Sequence, residues 1–336
     1  MPIPSAVPAV GPCPNVDLGS DPLSCGACGH SCLGGACTAG ACQPFEVAQE
    51  PSKVLGVLAN DDYVVWRAMD DAGATWALHA RSWESPAVVT LASGDYVMRP
   101  MALSGSYVYW CEDDHVARVL APGNGVERFA ETKEKCVSLE ADDKEVFWST
   151  NDGVVHAKPH ELGAERRLVG LAEASWYLKL SGDSILAYDG SRTARIPRGG
   201  QTYVFLEGFP ENLTIVGDDL YLTESYVEPG PVNPKNGIEG SRWEAVVRTK
   251  LAPGAPRVRI ADKQMSAGII GVVDGYLYWG DGGIYTNPVD LRRVRLPKGR
   301  VETLVTVPWS SGGWSVEGRR IVWHDGDAHV MRALAK

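Results

Sequence analysis

A short hydrophobic-aromatic run returns seven times along this chain, and the interval between returns constrains the fold. The runs are YVVW at 63–66, YVYW at 107–110, EVFW at 145–148, ILAY at 185–188, LYLT at 220–223, YLYW at 276–279 and IVW at 321–323. Their last residues lie 44, 38, 40, 35, 56 and 44 positions apart. A period near forty with four short strands per unit is the sequence form of a β-propeller. The second unit divides cleanly. MALSG (101–105), YVYW (107–110), VARVL (116–120) and VERFA (126–130) are strands, separated by a tight turn, the polar loop CEDDH and the hairpin signal Asn124-Gly125. No stretch carries a sustained helical apolar stripe, so an all-β chain is expected.

Counting strands predicts how the ring closes. Six units end in a fourth strand, over 88–92, 126–130, 166–169, 202–206, 257–261 and 301–305. The seventh stops after three, at 313–316, 320–323 and 329–333. Phe45–Ala48 stands just ahead of the first unit and matches the other fourth strands. The expectation is a seven-bladed propeller over 44–336, closed by the strand at 45–48, which removes two free sheet edges. Six blades is the alternative, because the fourth and fifth units match least well.

Six of the eight cysteines fall within 13–42: Cys13, Cys25, Cys28, Cys32, Cys37 and Cys42. The segment has too few large apolar residues to bury a core, so residues 13–43 are expected to form a small module held by disulfides. Six cysteines allow fifteen pairings, and spacing does not choose among them. A zinc site from Cys25, Cys28, Cys37 and Cys42, with His30 near, is the alternative. Cys111 and Cys136 lie where the second strand of one blade ends and the first of the next begins. They are expected on one rim and within bonding reach, with two buried thiols as the alternative. Such cysteine usage implies an oxidising compartment: extracellular, periplasmic or the outer surface. The opening MPIPSAVPAVGPCP has no basic start and no apolar core of signal-peptide kind, and residues 1–12 are expected to be a flexible tether.

The stretch DPLSCGACGHSCLGGACTAGAC (21–42) resembles the Cys-rich leader of secreted proteins and lipoproteins of myxobacterial type, in which a Cys-Gly-x-Cys-Gly-x-x-Cys core precedes a Gly-rich Cys-x4-Cys. There the leader often stands ahead of a propeller built from VYW-bearing units. The present units also resemble YWTD and NHL propellers. The resemblance implies export and a surface role, without a reaction.

The formal net charge is −10 with no Lys/Arg cluster, which argues against nucleic acid and anionic lipid as partners. No run is long enough to span a membrane, and a monomer is expected. The rim bearing the two–three loops and the interblade connections is the expected working surface. Its loops repeat acids, Asp70, Asp114, Asp152, Asp281 and Asp325 among them. Asp-Gly turn chemistry accounts for most of these, and a structural calcium ion is the alternative; no other cofactor is expected. The fifth unit carries the long insertion 224–243, read as a flap over that rim. Contact candidates are Tyr226, Trp243, Tyr285 and His324 near it, Arg99, Trp176 and Trp314 in segments leading into first strands, and His115 beside a cluster of acids. Rigid amphipathic aromatics suit a protein, peptide or carbohydrate ligand. No nucleophile, zincin or P-loop motif is present. The expectation is therefore a binding scaffold, with a metal-assisted lyase or hydrolase at the channel mouth, using His115 or His324 as base, as the alternative.

Overall fold

The second strands explain the repeat. In a computed structural model of the chain, which describes residue 13 and residues 15–336 except 71, 96–99, 124, 162, 172–173, 176, 189–191, 201–202, 207–212, 233–238, 251–254, 266, 283–287 and 308–309, these strands are buried on both faces. A strand covered on both sides reads as a continuous apolar run instead of an alternation. That is why YVVW and YVYW carry no polar residue.

A two-stranded hairpin, β1 (Cys37–Thr38) and β2 (Ala41–Cys42), lies in the leader, followed by β3 (Phe45–Gln49). Blade one is β4 (Lys53–Ala59), β5 (Tyr63–Met69), β6 (Thr75–Ser82) and β7 (Val88–Asp95). Blade two is β8 (Met101–Ser104), β9 (Tyr107–Cys111), β10 (His115–Leu120) and β11 (Glu127–Glu131). Blade three is β12 (Cys136–Ala141), β13 (Glu145–Thr150), β14 (Val154–Pro159) and β15 (Arg166–Gly170). Blade four is β16 (Tyr177–Ser181), β17 (Ser184–Tyr188), β18 (Thr193–Pro197) and β19 (Val204–Leu206). Blade five is β20 (Leu213–Val216), β21 (Asp219–Val232), β22 (Glu239–Lys250) and β23 (Val258–Gln264). Blade six is β24 (Ala267–Val273), β25 (Tyr276–Asp281), β26 (Val289–Arg295) and β27 (Val301–Val307). Blade seven is β28 (Ser310–Ser315), β29 (Arg320–Asp325) and β30 (Val330–Ala335), completed by β3. Within each blade the strands pair antiparallel in sequence order, and β3 adds to β30 with Phe45 opposite Ala333 and Gln49 opposite Val330. The described residues contain no helix, hence none long and apolar enough to cross a membrane. The expected tether at 1–12 lies outside the described residues.

The core is divided among the blade interfaces. Trp66, Val64 and Val54 of blade one pack with Val322 and Met331 of blade seven and with Val47 and Ala48 of the borrowed strand. Val65 and Leu78 turn the other way, onto Leu103, Val108 and Trp110 of blade two. The remaining five interfaces repeat the arrangement. Burying one large apolar side chain contributes about 1.5–3 kcal/mol, so each interface is a substantial share of the fold.

The cysteines pair as Cys13–Cys28, Cys25–Cys37, Cys32–Cys42 and Cys111–Cys136. All eight are cross-linked. The four sulfurs weighed as zinc ligands are thus each committed to a bond, two of them to each other. Four disulfides fit an oxidising environment. The leader is fastened to blade seven: Arg320 donates to the Leu33 carbonyl at 3.1 Å and lies 4.1 Å over the Trp83 ring of blade one, and His30 Nε2 lies 2.9 Å from the Lys336 carbonyl.

Over its described residues the insertion at 224–243 is paired strand. It continues β21 and β22 as a two-stranded ribbon with Tyr226 opposite Trp243 and Val232 opposite Glu239. Extended pairing satisfies the backbone of a long insertion better than irregular chain does.

Cys111–Cys136 joins blades two and three across 25 residues. Closing a loop of that size stabilises by about 3 kcal/mol in the chain-entropy account. Replacing both cysteines with serine is expected to lower unfolding stability by about 2–4 kcal/mol, read by chemical denaturation. Val47→Asp in the closing strand is expected to cost more than the same change at exposed Val88, because it sets a charge inside the blade seven–one interface.

Candidate functional site

The rim residues singled out in the sequence do not converge. His115 begins β10, with Nδ1 2.7 Å from Asp114, whose other oxygen takes Arg128 at 3.0 Å. Hydrogen bonds from His115 and Arg128 hold the Asp114 carboxyl down to about 2. His324 is buried in β29, its Nε2 3.1 Å from the Glu50 carbonyl, and burial lowers its pKa. Tyr226 and Trp243 face each other on the ribbon; the Tyr226 hydroxyl bonds Asp262, and Arg259 lies 4.3 Å over the ring. Arg99, Trp176 and Tyr285 lie outside the described residues. Trp314 stands near the end of β28, 5.4 Å from the Trp323 ring, and lines the axial cavity instead of the two–three rim. The strand begins at Ser310, three residues before the start expected from the sequence.

The repeated acids serve their own turns and neighbours. Asp70 accepts from Ala74 N at 2.7 Å and Thr75 Oγ1 at 2.8 Å, and Asp152 from Thr150 Oγ1 at 2.6 Å. Asp281 accepts from Met265 N at 2.7 Å and pairs with Arg292 at 2.9 Å. Asp325 pairs with Arg332 at 2.9 Å. These are the local bonds that favour Asp in turns.

Two cavities lie toward the opposite face, where first strands turn into second strands. One is a cleft of about 740 Å³ between blades two and three, lined by Tyr107, Arg118, Phe129, Lys158 and His160 among others. Arg118 sits 4.9 Å from the Tyr107 ring centre and 5.3 Å from that of Phe129, and Lys158 sits 4.7 Å from Phe129. Glu127 and the His160 carbonyl already take Arg118 donors, at 2.8 and 2.7 Å. The ammonium of Lys158 bonds only a carbonyl, that of Phe129, among the described residues. His160 ties the cleft floor. Its Nε2 meets the Asp142 carbonyl, which can only accept, so Nε2 carries the proton and Nδ1 accepts from the Tyr109 hydroxyl at 2.8 Å. Ser104 Oγ also donates to that carbonyl. Ser104 and His160 therefore fasten two blades and do not make a nucleophile and its base.

The second cavity, about 520 Å³, follows the axis. Three ionisable side chains enter it from three blades: Glu140 from β12, Lys179 from β16 and Glu317 from the turn after β28. Val57, Leu180, Ile215 and Val272 supply apolar wall. Lys179 Nζ donates to the Ile270 carbonyl of blade six at 2.8 Å, and no ion pair joins it to either carboxylate. Burial, then the neighbouring charge of Glu317, pushes the Glu140 carboxyl up to about 8. Burial brings the Lys179 ammonium down to about 8 against the pull of both carboxylates. Burial raises Glu317 as well. Glu140 and Lys179 keep some contact with channel water and Glu317 is exposed at the edge. Perturbed groups converging in a concave site are a mark of function.

A signal for this cluster was present in the repeat. Glu140 stands opposite Phe147, and Lys179 opposite Leu186. The equivalent place in blade one is Leu58, opposite Val65. A charge at an inner-strand position that is apolar in another blade marks a residue facing something other than core.

No family model matches the chain, and no curated protein matches it. Solved structures do. The WD40 β-propeller domain of Doa1 aligns with TM-score 0.55 and 11% identity, covering 87% of this chain and 97% of that one. A chain of the Mitotic Checkpoint Complex aligns with TM-score 0.57 and 8% identity, covering 88% and 94%. YCF48, solved bound to D1 peptide, aligns with TM-score 0.54 and 9% identity, covering 88% and 96%. The likeness is one of fold. It bears out the propeller and leaves the myxobacterial-type leader and the YWTD and NHL resemblance without further support.

The axial cluster has a pH signature. The folded pKa of Glu140 lies above its ordinary 4.5, so its contribution to stability is fully present below that value and is lost as pH rises toward about 8. Glu140→Gln is expected to leave stability unchanged at pH 4 and to raise it by about 1 kcal/mol at pH 8, read by chemical denaturation at the two pH values.

Proposed function

We propose that this chain is an exported binding scaffold that holds a protein or peptide segment in the cleft between blades two and three. The observation that carries the reading is the cleft itself: two aromatic rings with cations already seated on them and a lysine that, among the described residues, pairs with no carboxylate. Side chains ordered before binding lower the entropy lost on association. Lys158 favours an acidic residue in the ligand, and Tyr107 and Phe129 favour an apolar or aromatic one beside it. Two proteins of like fold lend support, since YCF48 was solved with a peptide and another propeller belongs to the Mitotic Checkpoint Complex. Export rests on the four disulfides. The alternative of a hydrolytic base at His115 or His324 finds less support, because neither ring lines the cleft or the axial cavity and His324 is buried.

Fluorescence polarisation with labelled acidic peptides that contain one aromatic residue tests the site. Saturable binding is expected, weakened about tenfold or more by Lys158→Glu and unaffected by Tyr226→Ala or His115→Ala. Loss of binding in the latter two variants would move the site to the two–three rim. An absence of saturable binding removes the reading.

A further inference from the structure

We infer that Lys179 is a nucleophilic amine that captures small neutral aldehydes entering the axial cavity, with Glu140 as proton donor to the departing hydroxyl. The site is separate from the cleft between blades two and three and does not rest on it.

The geometry of the amine comes first. Lys179 stands in a cavity of about 520 Å³, within the range that holds small ligands, and remains partly open to solvent. Its one described hydrogen bond goes to a carbonyl, Ile270 O, at 2.8 Å. A carbonyl accepts from a neutral amine as well as from an ammonium. One N–H can therefore stay on Ile270 while the nitrogen lone pair is free. Had either carboxylate closed an ion pair on Lys179, the nitrogen would be held in its protonated form. Neither does, although both act on it through space.

The acid comes next. Glu140 is kept in its protonated form at neutral pH by burial and by the charge of Glu317, while Lys336 at the end of β30 and Lys179 pull Glu317 the other way. Apolar walls and the second carboxylate disfavour an anionic substrate, which selects an uncharged aldehyde.

The step balances within these groups. The Lys179 nitrogen attacks the carbonyl carbon, and the nitrogen proton passes to the oxygen to give a carbinolamine. Glu140 then protonates the hydroxyl, water leaves, and the nitrogen lone pair forms the C=N bond. The products are an iminium on Lys179, a carboxylate on Glu140 and one water. No oxidant or reductant is consumed. The new carboxylate shares the cavity with the new cation and acts on it through space, so the acid that serves the step also stabilises its product. Lysines desolvated in apolar pockets are the usual source of such nucleophiles.

Reductive trapping reads this directly. The whole protein is treated with propanal and cyanoborohydride, and N-propylation of each lysine is followed by peptide mass spectrometry. Lys179 is expected to be alkylated at least about tenfold faster at pH 8 than exposed Lys53 and Lys135, with a maximum near that pH, since the step needs free amine and protonated acid together. Glu140→Gln is expected to slow trapping at Lys179 and to remove the falling limb of its pH profile while leaving Lys53 unchanged; a purely structural Glu140 would leave that profile intact. Labelling of Lys179 no faster than at Lys53, or a profile unaltered by Glu140→Gln, would overturn the inference.

Discussion

The ring depends on the contact between β3 and β30. Every blade buries both faces against its neighbours, so an open chain of seven would leave two apolar faces in water. Closure removes both, and it is made by a strand from near the head of the chain. Phe45–Gln49 pairs with β30, and Val47 and Ala48 complete the cluster that covers Trp66. The leader reinforces the same joint. Arg320 reaches back to Leu33 and across to Trp83, so one side chain links leader, last blade and first blade. Gly318, in the turn of blade seven, lies at φ +65° with the backbone of Asn60 and Asp61 less than 3 Å from where a Cβ would stand. Only glycine permits both that backbone and that approach.

Radial packing dictates where polar groups are affordable. Inner strands belong to different sheets and are not paired to one another by ladders. Serines bridge the gaps: Ser315 Oγ accepts from Ala59 N at 2.9 Å, Ser138 Oγ from Leu178 N at 2.8 Å and Ser181 Oγ from Ile215 N at 2.9 Å. Each ties one blade to the next at the axis, where wedge-shaped sheets meet most closely. The same crowding makes the axis a place of low effective polarity. Ionisable groups set there lose part of their hydration and shift toward their uncharged forms.

Much of this was legible in the sequence, for reasons that differ by element. The second strands declared themselves because burial on both faces forces unbroken apolar runs, and the closing strand because six units had a fourth strand and one did not. Cys111 and Cys136 were placed by topology, since strand ends on one rim must be neighbours. The leader pairing was not legible, as six cysteines in a coreless segment carry no pattern that ranks their connections. The insertion at 224–243 was read as an ordered flap without its form: Tyr226 and Trp243 sit opposite each other in a register that extends the parent hairpin. The rim reading gathered residues by loop membership. Loop membership fixes an end of the ring but not a direction: His324 is buried in β29, and His115 turns to its neighbour Asp114.

The axial groups were overlooked because single charges in short strands look like solvated positions. Their meaning emerges only from alignment across blades. Where blade one has Leu58, blades three and four have Glu140 and Lys179. A hydrophobic isostere at either place would relieve the cost of holding a titratable group inside the ring, and an ion pair between them would offset part of it. The chain has neither. It keeps an acid and an amine apart, each shifted toward its uncharged form, and stabilises the ring elsewhere through seven interfaces, the Cys111–Cys136 disulfide and a borrowed strand. A fold with that much redundancy tolerates a costly arrangement at its centre, and such local conflicts in otherwise consistent folds concentrate at functional sites.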